Sequence, residues 1–460
     1  MSTETRRFLS IDRDAEPMTR RQHRSRSSDE SDDPLDDIDA AEDILIDTLV
    51  DTDVSDTDGA EQQGADGDAL RGVHARTLEK HRAAMDLIRR CLPAGSTLSS
   101  FRHLAALWAG YGHVYRVRAA IPPASLSPTA EKSTVSALTT TRGNGTAAAA
   151  PPNAAYILKL ISLRSIRSTP KPDDDGHLRK IISYYVEHHF YKHFMPTLQR
   201  TYPHIKVPAT IPLDTSRPQS APRNIQHVLL MEDLSAAYPV APKTTLTYTQ
   251  TRSVLHWLAH FHALFWEKPI SPLYPPPQVL RQDPTWRVEF HPEGLWEQGG
   301  YSYLDTRRQE LDDISDPQWM FIKTLADAVN DKLTQGERFH TLLHGDPKAE
   351  NIFFTADERQ CALFDFQYCG RGLGMRDVAY LLATSTASDL CETREEELLR
   401  YYHDTLVALL PSKHGYTWRI AQDHFEWALL DFVRHCAAWG FWGNVGYALC
   451  VCSFAVFLLC

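Results

Sequence analysis

Three oxygen-bearing side chains, Asp346, Asn351 and Asp365, are spaced so that they could act together on a phosphate group. They stand in the runs His344-Gly-Asp-Pro-Lys-Ala-Glu-Asn351 and Leu363-Phe-Asp-Phe-Gln367. The segments 351–354 and 361–364 are strand-like and are separated by turn residues. In an antiparallel hairpin the start of one strand lies beside the end of the other, which brings Asn351 and Asp365 together, just after Asp346. Mg²⁺ binds carboxylate and amide oxygens alongside phosphate, and Asp346 is then free to accept a hydroxyl proton.

Further charged residues follow in the order that a nucleotide site requires. Lys159 lies at the centre of an apolar, strand-like run, where its ammonium could reach the α- and β-phosphates. Glu187 lies 28 residues later beside the apolar stripe of a helical pattern, where it could pair with Lys159. A strand-like run that ends at Glu232 and Leu234 could offer its backbone to an adenine edge. The sequence has no Walker A pattern, which excludes a P-loop NTPase.

The elements that position these residues form two groups along the chain. The predicted strands lie within 104–119, around Gly110 and Gly112, and at 156–163, 205–207 and 227–231. The predicted helices cover 78–88, 177–198, 254–266, 316–333, 395–410 and 420–438. The sequence therefore predicts a bilobal α+β fold, with a small antiparallel N-lobe sheet carrying one main helix and a mostly helical C-lobe.

Composition separates the lobes from two tails and an insertion. Between positions 29 and 68 there are 17 acidic residues and no Lys or Arg, which predicts a disordered acidic tail. Residues 121–153 are rich in Pro, Ser, Thr, Ala and Gly, which predicts a disordered insertion. The predicted boundaries are 1–70 for the N-terminal tail, 71–232 for the N-lobe, 233–444 for the C-lobe and 445–460 for an apolar C-terminal tail.

Charge, cysteine usage and hydropathy exclude several classes of protein. The net charge of −11 comes from the acidic tail, and residues 69–460 carry +3, which argues against a highly basic nucleic-acid binder. Eight cysteines show no disulfide or zinc framework, and the first thirty residues lack the apolar run of a signal peptide. A cytoplasmic location is therefore expected. A membrane anchor, a buried helix and a truncated end stay open for the uncharged stretch 436–460, with membrane association through 445–460 the less favoured.

Longer motifs give the chain a resemblance to a known group of kinases. They are Glu187-His-His-Phe-Tyr191, Met231-Glu-Asp-Leu234, Leu258-Ala-His-Phe-His-Ala-Leu-Phe-Trp266, the catalytic-loop run from His344 to Asn351, Asp365-Phe-Gln367 and Met375-Arg-Asp-Val-Ala-Tyr-Leu-Leu382. From about Leu78 to Asn444 the chain is similar to the ecdysteroid-kinase-like (CHK kinase-like) group, in the aminoglycoside phosphotransferase and choline kinase branch of the protein-kinase-like fold. The resemblance implies ATP-dependent phosphorylation of a hydroxyl group on a small molecule, with Mg²⁺.

The resemblance also implies a role for each site residue. Asp346 would be the catalytic base, Asn351 and Asp365 the Mg²⁺ ligands, and Asp377 a brace for the catalytic loop. Lys348, two residues after Asp346, departs from this pattern: it is more typical of Ser/Thr protein kinases, where it contacts the γ-phosphate, and it is predicted as a second catalytic residue. The residues expected to bind ATP are Lys159, Glu187, Gly110, Gly112, Glu232 and Leu234.

Two other functions stay open. The run Asp-Pro-Lys-Ala-Glu-Asn is typical of protein Ser/Thr kinases, but only eleven residues separate Asp365 from Asp377, which leaves no room for an activation loop. A pseudokinase or scaffold that binds through the acidic tail is the second alternative, although nothing in a scaffold requires the complete set of charged site residues.

Three histidines on one predicted helix also need an interpretation. His256, His260 and His262 lie in the apolar run 254–266, and the first two have the i, i+4 spacing found in some zinc sites. No glutamate is placed for metalloprotease chemistry, so all three are interpreted as satisfied core histidines.

Overall fold

A computed structural model of the protein describes most of the chain from residue 81 onwards. The described residues are 81–107, 111–122, 154–162, 175–211, 225–242, 244–283, 286, 288–336, 338–440, 443–444 and 446–448. Gly110, the predicted tail 1–70, most of the predicted insertion at 121–153 and most of the predicted tail at 445–460 lie outside them. Within these ranges, no helix combines the length and the apolarity needed to cross a bilayer. The predicted domain boundaries stay predictions.

The N-lobe is built on a four-stranded antiparallel sheet. Its strands are β1 (Thr97–Ala106), β2 (Gly112–Ala120), β3 (Ala154–Ser162) and β4 (Ile225–Glu232). They are hydrogen-bonded in the order β1-β2-β3-β4, and each neighbouring pair is antiparallel. On β2 the alternate residues Tyr115, Val117 and Ala119 are buried, as expected for a sheet with one face on a core. The predicted small antiparallel sheet is confirmed, and residues 81–91 before it are helical, as predicted.

The strand predicted at 205–207 is wrong. Lys206 forms only an isolated parallel bridge to Ala362, and residues 205–207 are not themselves a strand. Ile205 and Val207 are fully or almost fully buried on either side of it. Alternation of apolar and polar residues therefore reflects a loop that inserts two side chains into the core, a pattern that also arises without a strand.

The helix predicted at 177–198 is longer and is divided by a π-helical turn. Helix α1 (Asp175–His189) continues into the π segment Phe190–Phe194 and then into α2 (Met195–Thr201). Phe190 in the π segment stacks on Phe366 with ring centroids 3.7 Å apart and an interplanar angle of 12°. The extra residue of a π turn changes which side chains face inward, and such turns often occur at functional sites. Here the π-helical segment, which continues directly from α1, packs through Phe190 on Phe366, the residue after Asp365.

The C-lobe is mostly helical and contains two small sheets. Its helices are α3 (Tyr248–Phe265), α4 (Pro277–Leu280), α5 (Arg308–Asp312), α6 (Met320–Thr334), α7 (Met375–Thr384), α8 (Ser388–Leu409) and α9 (Trp418–Trp439). Its strands are β5 (Leu273–Tyr274), β6 (Leu295–Trp296), β7 (His340–Leu343), β8 (Ile352–Phe354), β9 (Cys361–Leu363) and β10 (Gly370–Leu373). Strands β8 and β9 form the predicted hairpin. The four helices predicted in this lobe are confirmed, with ends shifted by a few residues.

Helix α3 is the central helix of the C-lobe. It begins with a capping box: the Thr247 hydroxyl accepts a hydrogen bond from the Gln250 backbone N–H, and the Gln250 side chain accepts one from the Thr247 N–H. Val254, Leu258 and Phe261 are completely buried. Because these positions follow the helical period, α3 carries a broad apolar face into the core.

Candidate active site

The loop after β7 is held in a conformation that only glycine permits. Gly345 has a φ of +87°, and a Cβ atom added there would lie 2.0 Å from the Tyr368 carbonyl oxygen. Asp377, in the first turn of α7, accepts hydrogen bonds from the backbone N–H groups of His344 at 2.7 Å and Gly345 at 3.0 Å. The loop that presents Asp346 is therefore fixed by a buried carboxylate. This is the position predicted for Asp377.

A histidine on α3 and a histidine in the loop complete this support. His262 places Nε2 3.2 Å from the Asp377 carboxylate and Nδ1 2.7 Å from the Tyr402 hydroxyl. His344 places Nε2 3.1 Å from the Phe364 carbonyl oxygen, and its Nδ1 accepts from the Asp346 backbone N–H at 3.3 Å. Every step from α3 to the loop is thus a hydrogen bond between buried groups, which restricts the position of Asp346.

Asp346 has one carboxylate oxygen engaged and one without a hydrogen bond among the described residues. Its Oδ2 lies 3.1 Å from the Lys348 ammonium and accepts from the Asn351 amide Nδ2 at 3.2 Å. Its Oδ1 is buried and accepts no hydrogen bond at ordinary distance, although the Tyr380 hydroxyl interacts with the same carboxylate. The residue is only 3% exposed. A buried carboxylate oxygen without a partner is costly, and a substrate hydroxyl would satisfy it.

The charge of Asp346 acts strongly on Lys348. That carboxylate, 3.1 Å away, is the largest cause of a raised Lys348 pKa, and it outweighs the opposing effect of burial. Lys348 therefore stays cationic at neutral pH. The Asn351 amide also donates Nδ2 to the Asp346 backbone oxygen at 2.9 Å, so its own Oδ1 is the atom that a cation could bind.

Asp365 follows β9 with a left-handed backbone conformation, φ +68°, which is uncommon for a residue other than glycine. Its carboxylate lies 3.4 Å from the Lys159 ammonium. Burial raises its pKa, but the charges of Lys159, Lys180 and Lys348 outweigh that effect, and the pKa is lowered. The carboxylate is thus ionised and surrounded by cations. Such strained positions cluster at functional sites.

Lys159 on β3 and Glu187 on α1 form a buried ion pair. The ammonium lies 2.6 Å from Glu187 Oε2, and the side chains are 6% and 1% exposed. Burial lowers the pKa of Lys159, but Asp365 and Glu187 together raise it above its usual value. Burial raises the pKa of Glu187, and the Lys159 charge opposes that shift. The predicted pairing is present, and it also includes Asp365.

Sequence reasoning missed Lys180. Its ammonium donates to Gln367 Oε1 at 2.9 Å and lies 5.0 Å from the centre of the Tyr184 ring. Burial lowers the pKa of Lys180, and the Asp365 carboxylate opposes that shift. The spacing did contain a signal, because position 180 precedes Glu187 by two helical turns and therefore faces the same side of α1.

The sequence matches the Ecdysteroid kinase-like family over residues 155–266 and 300–414. The first range contains Lys159 and Glu187, and the second contains the loop of Asp346 together with Asp365. The chain belongs to this family. The two-lobed arrangement of an antiparallel sheet and a helical lobe agrees with the kinase-like fold that this membership implies.

Individual relatives of this ecdysteroid kinase-like protein are distant. An uncharacterized protein of Synechocystis sp. is 28% identical over 114 residues, which cover 24% of this chain and 31% of that protein, so the match spans about a third of the relative. Choline kinase LicA from Streptococcus pneumoniae has 10% identity and a TM-score of 0.37, covering 84% of this chain and 98% of that chain. Macrolide 2′-phosphotransferase MphH from Brachybacterium faecium has 14% identity and a TM-score of 0.38, covering 82% and 97%. At these TM-scores the fold assignment rests on the family match and the observed topology.

Of the other residues predicted to bind the nucleotide, the structure describes all except Gly110. Gly112 has a φ of +142°, and a Cβ atom there would lie 2.0 Å from the Leu160 carbonyl oxygen, so close packing on β3 already requires glycine. Gly110 lies outside the described residues. The Glu232 N–H donates to the Ala209 carbonyl at 2.8 Å, and the Leu234 carbonyl accepts from residues 237 and 238. The Glu232 N–H and the Leu234 carbonyl are therefore already used by the protein's own backbone.

The donor set fits a divalent cation with a nucleotide. Asp365 supplies a carboxylate kept ionised by lysines, and Asn351 supplies an amide oxygen next to it in the hairpin. Both are the oxygen ligands that Mg²⁺ prefers. Lys159, Lys180 and Lys348 act electrostatically on the same carboxylate, and positive charges of this kind stabilise phosphate groups.

Proposed function

We propose that this protein is a phosphotransferase that uses ATP and Mg²⁺ to phosphorylate a hydroxyl group of a small molecule. The observation that carries the proposal is the convergence of the ion pair Lys159–Glu187 on Asp365, beside the partly unpartnered carboxylate of Asp346. Membership in a family named for ecdysteroid kinase supports the same reaction. A polyhydroxylated steroid is accordingly one acceptor class to test.

Each residue would have a separate part in the reaction. Asp346, held through the loop by Asp377, would orient the acceptor hydroxyl and take its proton on Oδ1. Asn351 and Asp365 would hold Mg²⁺, which when bound neutralises charge on the phosphates. Lys348, whose ammonium also forms an ion pair with Asp346, would contact the phosphoryl group while it is transferred.

The nucleotide would bind between the two lobes. Lys159, oriented by Glu187, would contact the α- and β-phosphates, with Gly112 at the start of the neighbouring strand β2. The Glu232 carbonyl and the Leu234 N–H would bind the adenine edge, since they are separated by one residue at the end of β4. Glu232 itself is anchored, because its side chain accepts from Lys206 at 2.6 Å.

A protein Ser/Thr kinase is the less favoured reading of the same site. All of the chain between Asp365 and Asp377 is used by a turn, by β10 and by the start of α7. No segment is left there to order a peptide substrate. A cytoplasmic location is proposed because Cys361, Cys369 and Cys391 are buried thiols.

The test is transfer of the γ-phosphate of ATP by the full chain, with Mg²⁺, to a panel of small alcohols, polyhydroxylated steroids and a generic protein. Asp346→Asn should lower the rate by about 10²–10⁴-fold and leave ATP binding intact, because only proton acceptance is removed. Asp365→Ala should weaken Mg-ATP binding itself. Asp357→Asn, an exposed aspartate in the turn of the same hairpin, is the matched control and should change neither.

Three results would redirect the proposal. A near wild-type rate in Asp346→Asn would remove this residue as the base. Label on protein alone would favour the Ser/Thr kinase. No transfer to any acceptor, combined with no thermal shift on adding Mg-ATP, would favour the scaffold.

A further inference from the structure

Three histidines come together on the side of α3 away from the candidate active site. His256 and His260 are one turn apart on α3, and His204 reaches them from the loop after α2. One ring nitrogen from each of the three histidines lies within 4.8 Å of a ring nitrogen of the other two. His204 is exposed, His256 is partly exposed and His260 is 8% exposed. Of the two α3 histidines in this group, His260 is buried as expected for a core histidine, and His256 is only partly buried.

The loop that carries His204 is held in place. The Ile205 N–H donates to the Tyr202 carbonyl at 2.9 Å, and the Trp257 indole on α3 donates to the Lys206 carbonyl at 2.9 Å. Tyr202 also packs the edge of its ring on His260, with centroids 5.1 Å apart. The third imidazole is thus presented by a fixed segment and needs no large backbone rearrangement to reach the other two.

The hydrogen bonds also leave the histidine nitrogens suitable for a metal. His260 donates from Nδ1 to the His256 carbonyl oxygen at 2.9 Å, which leaves Nε2 as the lone pair in the neutral ring. His256 Nδ1 lies 3.5 Å from the Tyr401 hydroxyl, and a ring that donates from Nδ1 to that oxygen likewise keeps Nε2 for a metal. Neutral imidazole is the form that binds metal.

We infer that His204, His256 and His260 form a binding site for a divalent transition metal of the zinc type. Three imidazoles favour Zn²⁺, Ni²⁺ or Cu²⁺ over Mg²⁺, which requires oxygen ligands. Zn–N bonds of about 2.0–2.1 Å place ligand nitrogens roughly 3.3 Å apart in a tetrahedron, so side-chain shifts of about 1 Å would close the site. The exposed position of His204 leaves a fourth position for water.

The site would link two parts of the chain that also serve the candidate active site. The metal would join the 202–207 loop to α3, and Lys206 in that loop bonds the Glu232 side chain at 2.6 Å. On the opposite face of α3, His262 contacts Asp377. The inference is about metal binding, and its test does not depend on the proposed phosphotransferase activity.

The experiment uses the full chain, stripped with a chelator and titrated with Co²⁺, with Zn²⁺ as competitor. One equivalent of Co²⁺ should give the visible absorption of a four-coordinate site, Zn²⁺ should abolish it, and Zn²⁺ should raise Tm by about 2–4 °C. His204→Asn and His256→Asn should each weaken binding by at least about tenfold. His204 is exposed, so its variant should keep the fold even if His256→Asn does not.

A second histidine group provides the control. His189, His193 and Glu293 also lie within ligand distance of one another, but Glu293 is already bonded to Lys192 at 2.7 Å. His193→Asn should leave the Co²⁺ spectrum and affinity unchanged. The inference is overturned if His204→Asn binds Co²⁺ as the wild type does, if no four-coordinate spectrum appears, or if His193→Asn removes it.

Discussion

The Lys159–Glu187 pair is almost completely removed from water, and this makes the replacement Lys159→Met a sharp test of the site. With exposures of 6% and 1% and a separation of 2.6 Å, loss of the ammonium leaves a buried carboxyl without its main partner. Removal of one member of such a pair costs about 3–5 kcal/mol of unfolding free energy. Asp365 is affected less, since it is 32% exposed and keeps Lys180 and Lys348 as neighbouring charges.

The loss of unfolding free energy in Lys159→Met should grow as the pH rises. Burial already raises the Glu187 pKa, and Lys159 is the main group that opposes the shift, so the pKa rises further in Lys159→Met. A carboxyl whose folded pKa exceeds its unfolded value of about 4.3 is least destabilising below that unfolded value. Stability then falls as the pH rises towards the folded pKa, by at most about 1.4 kcal/mol per pH unit. The variant should be closest to wild type near pH 5 and weakest near pH 8.

Urea unfolding of the wild type and three variants measures this. Lys159→Met/Glu187→Met replaces the pair by apolar side chains and should recover most of the loss and remove the added pH dependence. Lys192→Met breaks an exposed pair of similar length, 2.7 Å to Glu293, and should cost about 0–1 kcal/mol. A pH-independent loss in Lys159→Met, or a double variant no more stable than the single one, would refute the reasoning.

Two further replacements test the parts that support the site. Phe366→Ala should lower the free energy of unfolding by about 3–5 kcal/mol in a urea titration, because the ring is fully buried and stacked on Phe190; a loss below about 1 kcal/mol would contradict this packing. Gly345→Ala should abolish transfer activity and lower Tm, because a Cβ atom would lie 2.0 Å from the Tyr368 carbonyl oxygen. The control is Gly336→Ala at an exposed glycine that also has a positive φ, where nothing lies within 4 Å of the added Cβ atom.

Much of the site could be predicted because its residues are close in sequence or lie on regular elements. Asp346 and Asn351 are five residues apart, and a two-stranded hairpin returns the chain to Asp365, so their proximity follows from local geometry. The pairing of Lys159 with Glu187 was expected because the catalytic-loop spacing already indicated a nucleotide site, since nothing local connects a strand with a later helix. Lys180 needed only the helical period and was overlooked.

The incorrect prediction of a strand at 205–207 has a physical origin. Ile205 and Val207 alternate with polar neighbours, and the same alternation arises in a strand and in a loop that buries two side chains. The bracing role of Asp377 was expected only from the resemblance, because the two backbone N–H groups that it binds carry no sequence signal.

By itself, the sequence determined the two-lobed α+β class, the positions of the main helices and the set of charged residues for phosphate chemistry. Apolar periodicity and the spacing within one hairpin are local properties, and they depend only on residues near each other in the chain. Tertiary structure alone decided that Asp365 joins the Lys159–Glu187 pair, and that His204 meets His256 and His260. These residues are brought together by the packing of separate elements, and their contacts depend on distances that no local pattern contains.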